Sequence, residues 1–370
     1  MVADSFEARL RDPDPRDHRR SLAAGLRQLR SHGIAHAVRK AAARARYAYQ
    51  LQKYDFNLRR LVYRLDDIPI DRPVFLLGVQ GGGGTIVART LYRHSQAVYA
   101  SGNSDYWAGV DEIHNSPHTI KDLPESLVHR SAHFFNVDGR LDCHPLYGYQ
   151  RCWLYAIDEL LPTHRHDPSS ADRQTADALK RVIRKIIVAY AHDPARARFI
   201  DMSQLYTIQV PFLGELLRGS DPRFILLTRN PYITCARAMR KEYDGRGTRV
   251  DLTSEQRMQC AIEHWDNSYR NALTDGERQE MIQVRYEDFL ENPEREVRRM
   301  CELAELEFEP AQVPQAGQRI PLGSLSEEKW YPLKRDENAS YLDSLSPELI
   351  RALNQRSADL IRRLGYEVLE

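Results

Sequence analysis

Four consecutive glycines, Gly81, Gly82, Gly83 and Gly84, followed by Thr85 and Ile86, form the segment most suited to holding an anion. Glycine in a regular element costs roughly 0.5–1 kcal/mol relative to alanine, so a run of four suits positive φ or close approach of a ligand. It follows the apolar run PVFLLGV, residues 73–79, and precedes a helical stripe of Ile86, Val87, Thr90 and Leu91. Placed there, successive backbone N–H groups make an anion nest, and the helix N-terminus adds partial positive charge. Thr85 can offer a hydroxyl to a phosphate oxygen. No Gly-Lys-Ser/Thr triplet follows, so the loop is not a Walker A motif. The later apolar run, residues 223–228, ends in Arg229 rather than in an acid that would hold Mg²⁺. No acidic residue closes a second strand about 20 residues on, as a dinucleotide fingerprint requires. The pattern predicts a phosphate-bearing ligand bound without metal.

Alternating elements must position this loop. Residues 73–79, 198–201, 223–228 and 281–285 read as strands buried on both faces. Helical patterns cover residues 171–191, 205–218, 232–241 and 253–273. A last helix begins at the N-cap Ser346 with Pro347 in its first position. Strands alternating with helices predict an α/β fold, a central parallel sheet flanked by helices. Residues 69–370 read as this domain, with residues 103–197 as an inserted helical substrate region. Residues 1–68 read as a basic helical extension. From His18 to Tyr54 it carries nine Arg and Lys and no Asp or Glu. A solvated helix packed on the domain explains that bias, and so does a surface for acidic lipid, acidic substrate or a partner subunit.

Composition sets limits. The chain has 370 residues, 42% hydrophobic and 28% charged, ample for a sizeable core. A formal net charge of +1 means that bulk electrostatics point to no nucleic-acid or membrane role. No apolar run reaches the 18 or so residues of a membrane span, and the polar, acidic start is unlike a secretory signal. Five scattered cysteines suit reduced thiols and a cytoplasmic protein. His114, His118, His129, His133 and His144 cluster beside Cys143, but no standard ligand motif occurs, and no metal site is expected.

Three segments, in order, resemble the sulfotransferase family that uses 3′-phosphoadenosine 5′-phosphosulfate (PAPS). RPVFLLGVQGGGGTIVARTLYRHSQAV, residues 72–98, is similar to its strand, 5′-phosphosulfate loop and helix. DPRFILLTRNPYITCARAMR, residues 221–240, resembles its 3′-phosphate segment. VRYEDFLENPEREVRRMCELAELEFEP, residues 284–310, resembles its Tyr-Glu-Asp segment, and RRLGYE, residues 362–367, a common family ending. The resemblance implies a P-loop-like α/β architecture and PAPS as co-substrate. It places Gly81, Gly82, Gly83, Gly84, Thr85 and Ile86 at the 5′ end, Arg229 at the 3′-phosphate and Tyr286 near the adenine. A bidentate guanidinium at a strand's C-terminal end suits that anion, although an ion pair would also explain Arg229, and an ordinary core position Tyr286.

Two departures stand out. The family's loop Lys or Arg falls on Gly81, and its 3′-phosphate Ser falls on Arg237. Losing a donor to the charge on the leaving oxygen costs about 2.7–4 kcal/mol, so another cation is needed, with Arg319, Lys334 and Arg335 as candidates and Arg89 less suited a full turn into its helix. Arg237 either adds charge at the 3′-phosphate or points elsewhere. The catalytic base is expected among Asp105, Asp111, Glu112 and His114, with a carboxylate favoured, Asp105 nearest the family position, and Tyr106 and Trp107 as an acceptor wall. The expected reaction is sulfuryl transfer to a hydroxyl of a carbohydrate, lipid or secondary metabolite. A metal-independent nucleotide-dependent transferase or kinase-like enzyme and a non-catalytic nucleotide-binding protein are the alternatives. Expected partners are a small-molecule, glycan or lipid acceptor, with peripheral membrane contact through the basic helix and a homodimer left open.

Overall fold

In the computed structural model, residues 52–102, 112–113, 120, 122–127, 155–240, 253–320, 329–330, 338–342 and 345–370 are described, with Ile34, Val38, Ala42, Ala45, Tyr49 and Gln50, which are helical. Five parallel strands form one sheet: β1 (Val74–Leu77), β2 (Ala97–Val98), β3 (Arg198–Asp201), β4 (Arg223–Thr228) and β5 (Glu280–Arg285). Their order is β2-β3-β1-β4-β5, so the strand leading to the glycine run lies at the centre. Among the described residues, eight helices of six residues or more pack around it: α1 (Gly84–Leu91), α2 (Arg173–Tyr190), α3 (Val210–Leu216), α4 (Pro231–Arg240), α5 (Ser254–Gly276), α6 (Tyr286–Glu291), α7 (Pro293–Leu303) and α8 (Pro347–Arg363).

Alternation along the strands explains why helices cover both faces. Val74 and Leu76 join Ile225 and Leu227 in a core with Ile86, Val87 and Leu91 of α1 and Val297 and Met300 of α7. Phe75 and Leu77 turn the other way, into a core with α2, α5 and α8. There Phe75 stacks on Phe224 at 5.7 Å between centroids and meets Phe199 and Tyr206 edge-on. Helix α2 lays Leu179, Val182, Ile183, Ile186 and Ile187 on this face, in the 3–4 spacing of an amphipathic helix.

Helix starts follow their caps. Asp172 accepts from Thr175 N–H before α2, Thr253 and Gln256 form a capping box before α5, and Ser346 accepts from Leu349 N–H before α8. The single helix expected over residues 205–218 is instead a 3₁₀ segment, Gln204–Ile208, followed by α3. Pro211 is the reason, since a residue without an N–H is tolerated in a helix's first turn but not in its interior. β2 and a two-stranded hairpin, β6 (Arg319–Ile320) with β7 (Lys329–Trp330), had no sequence signal, because two residues carry no periodicity.

Candidate active site

The site lies at the C-terminal ends of β1 and β4, where doubly wound sheets place ligands. β1 delivers Gly78, whose N–H donates to Thr207 Oγ1 (2.8 Å) while that hydroxyl donates to the Gly78 carbonyl (3.0 Å). Tyr269 Oη donates to Leu227 O on neighbouring β4 (2.9 Å). Buried hydroxyls thus fix the loop's entry.

The loop turns through Gly82 N–H to Val79 O (3.0 Å), with Gly81 at φ 87° and Gly83 at φ 95°. Gly83 caps α1 in the left-handed conformation, and a Cβ there would lie 2.3 Å from Tyr286 Cδ2. Glycine is therefore required twice over, by its φ and by the ring packed on it. Gly84 and Thr85 open α1, where first-turn N–H groups have no intrahelical acceptor and face outward along the axis. Ile86 is spent differently: its N–H donates to Gly83 O (3.1 Å) and its side chain is core.

Two guanidiniums meet the loop. Arg229, just beyond β4 and 2% exposed, donates from Nη1 to Gly81 O (3.1 Å) and from Nε to Asn338 Oδ1 (3.1 Å). Its Nη2 also donates to Asn338 Oδ1 (2.5 Å), and its Cζ lies 4.7 Å from the Tyr286 ring centroid. Arg237 of α4 lies along the other contact, with Cβ and Nε each 3.9 Å from where a Gly81 Cβ would stand. Its Nη1 donates to Tyr341 Oη (3.2 Å), and its guanidinium covers that ring.

A carboxylate supports Arg229 at one remove. Glu287 Oε1 accepts from Asn338 Nδ2 and Asn230 N–H (2.9 Å each), and Oε2 accepts from Tyr366 Oη (3.0 Å). Tyr366 Oη also pairs with Thr228 Oγ1 at 3.1 Å. Burial, then Glu287, push the Tyr366 phenol well up, so it stays a donor.

Of the expected base candidates, Glu112 lies within the described residues and is buried. Asp105, Asp111 and His114 lie outside them, as do Tyr106 and Trp107. The neighbouring Ile113 N–H donates to Asp201 Oδ1 (2.9 Å) at the C-terminal end of β3, and Asp201 Oδ2 accepts from Ser203 N–H (2.9 Å). Burial pushes the Tyr155 phenol well up, and nearby Tyr269 and Glu112 add to the shift. Tyr155 Oη donates to Gln204 O (2.7 Å), at the start of the 3₁₀ segment that carries Thr207.

The structure brings Gly81, Gly82, Gly83, Gly84, Thr85, Arg229, Arg237 and Tyr286 together. Lys334 and Arg335 lie outside the described residues, and of Arg319 only the backbone is described. Arg89 is buried in α1, its guanidinium 5.9 Å from the Tyr92 ring centroid. Asn338, Glu287, Thr207, Tyr269 and Tyr341 were not among the expected site residues. Glu287 sits in the Tyr-Glu-Asp segment and Tyr366 in the RRLGYE ending, but nothing in the sequence singled out Thr207 or Asn338. Among the described residues no cluster of metal-ligating side chains occurs, and no helix is long and apolar enough to cross a membrane.

Comparison with known proteins bears on this arrangement. A family model described as "Sulfotransferase family" matches residues 73–310, well over half of the chain. No curated protein matches. Among solved structures, the chain is similar to a sulfotransferase domain from the curacin biosynthetic pathway, at 17% identity and a TM-score of 0.44, covering 81% of this chain and 100% of that one. It is also similar to the sulfotransferase domain of the Synechococcus PCC 7002 olefin synthase, at 18% identity and 0.42, covering 81% and 97%. A third likeness is to a Mycobacterium avium sulfotransferase, at 15% identity and 0.46, covering 86% and 82%.

Proposed function

The chain belongs to the sulfotransferase family, and from that premise we propose that it moves a sulfuryl group from PAPS to a hydroxyl of a carbohydrate, lipid or secondary metabolite. The observation that carries this reading is the meeting of Arg229 and Arg237 at Gly81. PAPS bears a 3′-phosphate and a 5′-phosphosulfate, so it needs two anion sites. The residues present fit. Loop N–H groups and the Thr85 hydroxyl are donors, and Arg229 brings a guanidinium held to the loop through Gly81 O and to Asn338 Oδ1.

PAPS, when bound, supplies the sulfuryl group and a phosphate leaving group. Arg229 holds the 3′-phosphate, kept in place by Asn338 and Tyr286. Arg237 takes the role of the cation that the glycine loop lacks, neutralising charge on the leaving oxygen from α4 rather than from the loop. Glu112 receives the acceptor's hydroxyl proton as the oxygen attacks sulfur. Its segment is tied to the end of β3, on the same edge of the sheet as the loop.

Calorimetry with 3′,5′-diphosphoadenosine against ADP and ATP tests the donor. A preference for the 3′-phosphate is expected, and equal affinities would sink the reading in favour of an ATP-using transferase. Arg229→Ala should weaken that binding by about tenfold or more, the loss of a charge-assisted pair. Arg237→Ser should lower kcat by about 10²–10³. Glu112→Gln should spare binding and abolish transfer from labelled PAPS; retained turnover would place the base elsewhere, and binding without transfer in the wild type would mark a non-catalytic protein.

A further inference from the structure

Where the chain enters the domain, two side chains pin it to the end of α2 and a third to Asp122. Tyr54 is buried and donates to Asp122 Oδ1 (2.5 Å), and Asn57 Nδ2 donates to Val188 O (3.3 Å). Arg59 donates to Ala191 O (2.5 Å) and His192 O (3.3 Å). The residues between and after these anchors are turned outward. Phe56 is 77% exposed, Leu58 68%, Leu61 85% and Val62 77%. Isolated exposed hydrophobics are ordinary, but four large ones within seven positions make a patch. Ile34, Val38 and Tyr49, on the helical residues upstream, are exposed as well.

Charge identifies the occupant. Residues 18–54 carry nine Arg and Lys and no acid, in a chain whose net charge is only +1. Within the patch itself Arg59, Arg60 and Arg64 are balanced by Asp55, Asp66 and Asp67, so the excess of positive charge comes from the segment that leads into it. A second copy of the same surface would meet it with like charge, which disfavours self-association. An anionic surface with an apolar interior satisfies both features, since basic groups stay among headgroups while Phe, Leu and Val enter the acyl boundary. We propose that this face, centred on Phe56, Leu58, Leu61 and Val62, docks the enzyme on an anionic lipid bilayer. The docking is independent of the donor and base assignments above, because none of these residues belongs to the site.

Co-sedimentation of the full chain with vesicles tests it. Binding is expected to an equimolar phosphatidylglycerol–phosphatidylcholine mixture, weakened by added salt, and not to phosphatidylcholine alone. The double variant Leu61→Ser, Val62→Ser should lower partitioning about tenfold or more, from the loss of two immersed side chains. Both are solvent-exposed, so its thermal melt should match the wild type. Equal sedimentation with both vesicle types, or an unchanged variant, overturns the proposal. So does a dimer that the same substitutions dissociate without any vesicle binding, which would give the patch to a second copy.

Discussion

Arg229 is a charge that the fold keeps out of water at considerable expense, which is tolerable only with its donors matched. Gly81 O and Asn338 Oδ1 match them, and the Tyr286 ring lies over its face. Tyr286 in turn rests on Gly83. The substitution Gly83→Ala should therefore act at a distance: a Cβ 2.3 Å from the ring must expel it, and the φ of 95° adds strain. A loss of about 3 kcal/mol in urea melts is expected, with weakened binding of 3′,5′-diphosphoadenosine by calorimetry. Unchanged affinity would show that Tyr286 does not support Arg229. The glycines and Arg229 were legible because local context marks them, a run after a buried strand and a cation at a strand's end. Asn338 was not, since its role exists only through contact with a residue 109 positions away. Arg237 was legible as a departure, but its place beside Gly81 follows from how α4 packs.

At the scale of elements, the strands were readable because a sheet buried on both faces writes unbroken apolar runs, and β3 and β4 span residues 198–201 and 223–228 as those runs predict. The long helices were readable from periodicity and caps. What failed was short or interrupted: the two-residue β2, the hairpin, and the break at Pro211. The cap before α8 offers a clean test. Ser346 Oγ accepts from Leu349 N–H at 3.2 Å, and Ser346→Ala should cost about 1 kcal/mol, read as a lower urea midpoint at unchanged m. Because the cap is far along the helix from Tyr366, donor affinity should hold at wild-type level in native buffer; a drop in affinity would mean that α8 frays as far as the site.

For the whole molecule, acid is the revealing variable. His264 of α5 is buried against Tyr155, ring centroids 4.6 Å apart, and its Nδ1 accepts from Ala156 N–H at 3.4 Å. Burial brings its pKa down to about 3, so it is neutral in the fold and takes a proton on unfolding. With an unfolded value near 6.5, stability is full above that pH and is lost as pH falls toward about 3, by about 2 kcal/mol at about pH 5. His264→Phe should flatten that acid limb, measured as urea midpoints at neutral and mildly acidic pH; an unaltered slope would assign the acid sensitivity to other groups. The hydroxyl of Tyr366 has a different consequence. It closes the hydrogen-bonded ring through Glu287 and Thr228. One phenol therefore ties the segment after α8 both to the end of β4 and to α6, so the last helix and the carboxylate behind Arg229 are fastened at a single point.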